Sequence, residues 1–186
     1  FRSEKDAVRA IKSNTEGVKI KSGDILILTC GGPIGTGMEE VYQITAALKH
    51  LSFGKHIALI TDARFSGVST GACIGHVGPE ALAGGPIGKV VDGDTIEIII
   101  DQINLDGSIN LVGQDNIRHG TEWGESELTK RAKANDLKPH PQLPDDSRLW
   151  AALQNVSGGT WGGCGFDGDL IIETLNKGKK AASVES

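Results

Sequence analysis

Cysteine is scarce: three residues, at positions 30, 73 and 164 of a 186-residue chain, form an odd set with long separations. That excludes a disulfide framework and, with no compact C-x-x-C spacing, a self-contained zinc or iron–sulfur site. The three are expected to be buried thiols in a reducing, cytoplasmic setting. A surplus of positive charge is missing too. With 19 Lys and Arg against 24 Asp and Glu the net charge is -5, which argues against nonspecific nucleic-acid binding, a property of clustered cations. Long apolar runs are absent: even residues 96–100 are interrupted by Glu97, so nothing reaches the roughly 18 residues of a bilayer span, and no membrane partner is expected. The chain opens on Phe1, with neither an initiator Met nor a charged-then-apolar leader, and is expected to be part of a longer protein.

What is present is the composition of a folded domain. Hydrophobic residues make up 38% and charged residues 23%, which lacks the signature of disorder, and the length fits one domain. Glycine supplies 26 residues, in clusters rather than a repeat; clustered glycines mark tight loops at a site.

Ser3 followed by Asp6 resembles a capping box for a short helix carrying Ala7, Val8 and Ile11 and stopped at Gly17. Residues 24–30 (DILILTC) and 56–61 (HIALIT) read as buried strands. Between them, the glycines and Pro33 of residues 31–37 (GGPIGTG) exclude regular structure, and residues 39–51 show helical spacing with Glu39 and Glu40 in the first turn. Residues 71–91 read as loops around a helical turn at 79–83. Residues 95–100 and 108–112 form an antiparallel pair joined around Asp106-Gly107. Helices are expected at 125–134 and 149–156, an extended connection at Pro139, Pro141 and Pro144, and a glycine loop at 158–163. A helix or strand follows at 170–175, then a frayed tail from 177 to 186. The alternation predicts an α/β domain, a sheet or partial barrel with flanking helices.

Several familiar chemistries fail on inspection. Gly35-Thr36-Gly37-Met38-Glu39-Glu40 ends in Glu where a dinucleotide loop needs a small residue, and no Gly-Lys-Ser/Thr closes a phosphate loop. Arg64 stands where a hydrolase elbow would have its first glycine. What survives is a glycine-preceded helix start able to bind a carboxylate or phosphate, or simply a tight turn. Glu39 and Glu40 are either helix-dipole partners or ligands of a hard cation. Ser66, before Gly67, is either a turn former or a reactive hydroxyl, with Arg64 near enough in sequence to hold an anionic substrate. His76 offers acid/base chemistry or loop stabilisation.

Taken together, five blocks carry a specific resemblance. They are Gly35-Thr36-Gly37-Met38-Glu39-Glu40, Thr61-Asp62-Ala63-Arg64-Phe65-Ser66-Gly67, Gly75-His76-Val77-Gly78-Pro79-Glu80-Ala81, Gly84-Gly85-Pro86-Ile87 and Asp92-Gly93-Asp94. In this order they resemble the carboxy-terminal domain of the dihydroxy-acid dehydratase and 6-phosphogluconate dehydratase family, with a family core over about 3–114 and an extension over 115–186. The tail, with Leu143-Pro144-Asp145-Asp146-Ser147-Arg148-Leu149-Trp150 and Ser157-Gly158-Gly159-Thr160-Trp161, looks like the sugar-acid branch that dehydrates xylonate.

The resemblance implies a hydro-lyase that turns a 2,3-dihydroxy acid, here an aldonate, into a 2-keto-3-deoxy acid. It implies an iron–sulfur cluster whose cysteines lie in an amino-terminal domain outside this sequence, and Mg²⁺. Residue by residue, it puts the base on Ser66 and the Mg²⁺ ligand on Glu40, with Glu39 the neighbouring alternative; Arg64, Gly67 and His76 fall in the substrate-binding blocks. Val68 stands where some sugar-acid relatives have a threonine. The implied fold is a single swivelling β/β/α domain with a β-barrel-like sheet, inactive alone, working with its own amino-terminal domain in a homo-oligomer. The region of Trp123, Trp150 and Trp161 is a candidate interface or core. A noncatalytic swivel or anion-binding module is the alternative.

Overall fold

The computed structural model describes residues 1–13 and 19–183. The first helix, α1 (Glu4–Ser13), starts as its sequence predicts: Ser3 Oγ accepts the Asp6 amide at 3.2 Å and donates to the Asp6 carboxylate at 2.7 Å. Ala7, Ala10 and Ile11 are buried; the expected stop at Gly17 lies outside the described residues.

A parallel three-stranded sheet follows, built from β1 (Ile25–Leu28) and two later strands, β3 (Ala58–Thr61) and β5 (Ala72–Ile74), in the order β1-β3-β5. It separates two apolar clusters, and strand alternation explains why. Leu26, Leu28 and Leu59 face Ala7 and Ile11 of α1 together with Ile44, Ala47 and Leu48. Ile25, Ile27 and Ile60 face Cys30, Ala81, Ile87, Ile96 and Ile98 on the other side. Helices thus cover one face, and the other is covered by residues 81–87 and an antiparallel hairpin, β6 (Asp94–Asp101) with β7 (Asp106–Gln114), to which β8 (Ile117–Arg118) adds an edge.

The architecture is of the expected α/β class, but no closed barrel forms among the described residues. The strands fall into separate small sheets whose end strands, β1 with β5 and β6 with β8, do not pair with one another, whereas a barrel needs a continuous staggered ladder.

Several elements differ from the sequence reading, each for a local reason. Residues 33–36 do form a helical turn, α2 (Pro33–Thr36): Pro33 occupies its first position and Gly37, at φ +67°, closes it by donating to the Pro33 carbonyl. The long helix expected from residue 39 is instead β2 (Glu40–Val41), a tight bend and α3 (Gln43–Leu48). Glu40 and Val41 are taken by parallel pairing with β4 (Arg64–Phe65), and α3 is capped from α1, where Glu4 Oε1 accepts the amides of Tyr42, Gln43 and Ile44. Neither Glu39 nor Glu40 is therefore a helix-dipole partner. β5 lies within the stretch read as loop, and its turn of helix is at Ala81–Ala83 rather than at Pro79. The hairpin turns at Asp101, whose Oδ1 accepts the amides of Ile103 and Asn104, so Asp106 and Gly107 belong to β7.

Beyond the hairpin, α4 (Thr121–Lys130) begins four residues early and ends where Arg131 leaves it to pair with Asp94 at 2.6 and 2.9 Å. Then come α5 (Asp145–Val156), a 3-10 turn at Gly159–Gly162 and α6 (Gly168–Ala182). The tail expected to fray is helical to Ala182, capped by Asp167, which accepts the Leu170 amide at 2.9 Å, with Lys179 and Lys180 in the last turn. Of the three thiols only Cys30 is buried; Cys73 is half-buried and Cys164 exposed. Trp150 and Trp161 are exposed in this chain, while Trp123 stacks on His119 with ring centroids 4.5 Å apart. No helix among the described residues is long and apolar enough to cross a membrane.

Two glycines test this packing. A Cβ on Gly124 would lie 1.7 Å from the Leu111 carbonyl oxygen, whereas one on Gly178 in α6 meets open space. We expect Gly124→Ala to destabilise the domain by about 1–3 kcal/mol through overpacking against β7, and Gly178→Ala to stabilise it by about 0.5–1 kcal/mol. Urea unfolding of the two variants checks the sign: equal effects would contradict the α4–β7 contact.

Candidate active site

Because β1 and β3 are parallel neighbours, their following loops, residues 29–37 and 62–67, emerge at the same end of the sheet, where open α/β sheets place ligands. Two carboxylates buried between those loops organise them. Asp62, 2% exposed, receives the amides of Cys30 at 3.2 Å, Gly31 at 3.0 Å and Ala81 at 2.9 Å. Glu80, 1% exposed, receives those of Ile34 at 2.8 Å and Gly35 at 3.3 Å. The helix start expected at residue 39, read from sequence as a possible anion site, does not form; the neighbouring turn α2 has its Ile34 and Gly35 amides filled by a carboxylate of the same chain. Gly32 makes the approach possible, since a Cβ there would lie 2.5 Å from Glu80 Oε2.

Burial pushes both carboxyls above their ordinary range. For Asp62 the Ala81, Gly31 and Cys30 amides pull partly back; for Glu80 the Ile34 amide opposes burial while the nearby Asp62 charge adds to it. Burial likewise raises the Cys30 thiol.

On this support stands a more exposed group. Thr36 Oγ1 donates to the Gly31 carbonyl at 2.8 Å and accepts the Glu39 amide at 3.0 Å. Met38, at φ +69°, then turns the chain into β2. Register pairs Glu40 with Arg64. Arg64 donates Nε to the Met38 carbonyl at 2.6 Å and Nη1 to Glu40 Oε1 at 2.7 Å. Both side chains are nearly half exposed, 46% and 43%, so solvent screens the pair, which contributes about 0–1 kcal/mol. Among the described residues nothing takes Arg64 Nη2 or the second oxygen of Glu40, so a ligand can engage both.

Ser66 follows one step along the same ladder. Its amide donates to the Val41 carbonyl at 3.1 Å and its carbonyl accepts the Ser69 amide at 3.0 Å, while its half-buried side chain has no hydrogen-bond partner among the described residues. Gly67 is at the open side of that turn, where a Cβ would meet nothing within 4 Å. The structure thus brings Glu40, Arg64 and Ser66 to one edge. His76 is joined to them only through backbone: at φ +57° it is exposed and donates its amide to the Ala63 carbonyl at 2.8 Å. Asp62 and Glu80 were missed as site residues, although each stands in a recognisable position, one after a buried strand and one after Gly-Pro.

A cleft of about 490 Å³ opens beside Glu40, with Arg2, Thr29, Glu39 and His140 among its walls. No group of three His, Cys, Asp or Glu side chains able to hold a metal occurs among the described residues. A carboxylate such as Glu40 fits a hard cation as one ligand, with the remainder of the shell supplied from elsewhere.

Comparison with known proteins gives these features a context. The sequence model for the C-terminal region of dihydroxy-acid/6-phosphogluconate dehydratases matches residues 1–157. The chain is 58% identical over 99% of its length to the D-xylonate dehydratase YagF of Escherichia coli (strain K12), covering 28% of that protein. It is 60% identical over 95% of its length to D-xylonate dehydratase YjhG of the same organism, covering 27%. A dihydroxy-acid dehydratase of Thermodesulfovibrio yellowstonii is 40% identical over 84% of the chain and is covered to 25%. The chain spans less than a third of the length of these relatives.

The raised carboxyls make a pH prediction. A group that holds its proton more tightly when folded contributes stability that is present below the ordinary carboxyl range and is lost as pH rises to its raised value. Asp62 and Glu80 should therefore lower stability as pH climbs from about 4 through that window. Urea midpoints of the chain and of Glu80→Gln, compared from acid to neutral pH, measure the difference. A variant with the same slope as the parent would refute the assignment.

Proposed function

Because the chain belongs to the dihydroxy-acid/6-phosphogluconate dehydratase family, we propose that it is the swivelling carboxy-terminal domain of an iron–sulfur and Mg²⁺-dependent hydro-lyase that converts an aldonate such as D-xylonate to its 2-keto-3-deoxy acid. The observation that carries this reading is the convergence of Glu40, Arg64 and Ser66 on one ladder edge. The substrate class rests on similarity, over 95–99% of this chain, to 27–28% of the length of two D-xylonate dehydratases.

In this reading the Ser66 hydroxyl, which no side chain of the described residues engages, removes the C2 proton while the C3 hydroxyl departs, and the resulting enol tautomerises to the ketone. A serine is a weak base, and it acts here only in a field that favours its alkoxide. The cluster and Mg²⁺, when bound, supply that positive field and polarise the departing hydroxyl and the carboxylate end of the substrate. Glu40 is the ligand this chain offers to Mg²⁺. Arg64, tied to Met38 and Glu40, fixes the direction of the carboxylate and has Nη2 left for the substrate's own carboxylate. Gly67 keeps the approach to Ser66 open and His76 borders it from the neighbouring loop. The domain works with the amino-terminal part of the same polypeptide, in a cytoplasmic homo-oligomer. The noncatalytic anion-binding alternative is not favoured by the similarity to dehydratases: the helix start it was read from is strand β2 instead, and the α2 amides nearby are taken by Glu80.

The test uses the full-length protein, purified without oxygen, with D-xylonate and 2,3-dihydroxyisovalerate as competing substrates. Ser66→Ala should lower kcat by about 10²–10⁴-fold, the range for loss of a general base, with the cluster absorbance unchanged. Glu40→Gln should raise the Mg²⁺ concentration needed for half-maximal turnover. Undiminished turnover by Ser66→Ala removes the serine from its role, and turnover of the branched acid alone overturns the sugar-acid assignment.

A further inference from the structure

Three stretches distant in sequence meet on one buried carboxylate. Glu80 holds the Ile34 and Gly35 amides of α2 and also accepts the Thr160 hydroxyl, at 3.5 Å, from the 3-10 turn that follows α5. Gly159 closes against the same place at φ +51°: a Cβ there would lie 2.7 Å from Ile34 Cγ1 and 3.7 Å from Glu80 Oε1. α5 presses on the other end of α2, where a Cβ on Gly37 would lie 2.6 Å from the Trp150 Cβ. Residues 159 and 160 lie beyond the family match, which ends at 157, yet the D-xylonate dehydratases match over 95–99% of the chain.

From Glu80 the linkage runs unbroken to the site. The turn whose amides it holds contains Thr36, which receives the Glu39 amide, and leads to the Met38 carbonyl that receives Arg64 Nε. Arg64 in turn donates to Glu40. A displacement of α2 therefore moves both the chain carrying Glu40 and the acceptor that orients its partner.

We propose that Glu80 is a positioning residue for the Glu40–Arg64 pair and that the tail, through Gly159 and Thr160, holds Glu80 in place. As regards metal affinity, this rests on the reading of Glu40 as the Mg²⁺ ligand. The position requires a carboxylate, because two amides and a hydroxyl converge on it. A carboxamide keeps one acceptor oxygen and turns an N–H group toward donors.

Hydrogen exchange read by mass spectrometry on the full-length protein tests this, with Glu80→Gln, Thr160→Val and, as a control in the hairpin, Leu111→Ala. Loss of a buried acceptor should make residues 34–41 of Glu80→Gln exchange about ten-fold faster, and those of Thr160→Val a few-fold faster, with residues 94–101 unchanged. Mn²⁺ affinity, read from the free-ion paramagnetic resonance signal, should fall by about ten-fold in Glu80→Gln, as for loss of a group that orients a metal ligand, and hold in Leu111→Ala. Acceleration confined to 34–36 overturns the proposal. So does uniform acceleration of the domain, or an equal loss of Mn²⁺ affinity in Leu111→Ala, either of which makes Glu80 a general support of the fold. If Glu80→Gln does not fold, Thr160→Val carries the test, since it leaves the carboxylate in place. Glu40→Gln separates the two readings: unchanged Mn²⁺ affinity there removes the ligand assignment, while the exchange rates still decide the positioning role.

Discussion

Five backbone amides at one end of the parallel sheet have no ladder partner and are satisfied instead by two buried carboxylates, Asp62 and Glu80. The rest of the site depends on that substitution. Three of these amides, those of Cys30, Gly35 and Ala81, belong to buried residues, and an unsatisfied buried amide costs about 1–3 kcal/mol. A carboxylate spreads its acceptor sites over two oxygens and so serves two or three donors from different directions, where a carboxamide of the same size has a single acceptor oxygen. The cost of burying the two charges is visible in their raised proton affinity, and the amides offset it in part. Gly31, Gly32 and Gly35 follow from the same demand: a Cβ at these positions would lie 2.7 Å from Ala63, 2.5 Å from Glu80 and 2.1 Å from the Cys30 carbonyl.

The sheet itself is held by simpler means. Alternation along β1 and β3 supplies both faces with Leu and Ile, so one short parallel layer serves as the floor of two cores. Its strands are only three or four residues long, because the helices on one side and the β6–β7 hairpin on the other give each face an apolar cover. This layering directs the loops that follow β1 and β3 to one end of the sheet.

Legibility in the sequence followed the range of the deciding interaction. The Ser3 cap, the strands β1 and β3 and the hairpin were readable because periodicity and capping act over a few residues. The start of α3 was not, since the competing forces come from afar: Glu4 caps it across 38–40 residues and Arg64 draws Glu40 into a ladder across 24. The turn of α2 was hidden behind glycines whose purpose is close approach rather than disorder. For the candidate site, the motif blocks named Glu40, Arg64 and Ser66 as candidates, but not their mutual register, which parallel pairing of two-residue strands decides. Asp62 and Glu80 stood inside the same blocks without a role, since their function appears only when the amides they serve are brought from 31–32 and 45–46 residues away. The thiols show the opposite error: Cys164 is exposed because its glycine-rich surroundings form a surface turn, not a core.

Two kinds of electrostatic contact therefore divide the work. The Asp62 and Glu80 side chains are buried, and between them they receive five amides of the loops, so removing either takes from those amides the partner that fixes the loop. The Glu40–Arg64 pair is solvent-screened and of little energetic worth, so either partner can exchange it for another charged group at small cost to the fold. Stiffness beneath and lability above is the combination that ligand exchange requires: the exposed pair rearranges at small cost, and the buried carboxylates ensure that it returns to the same place.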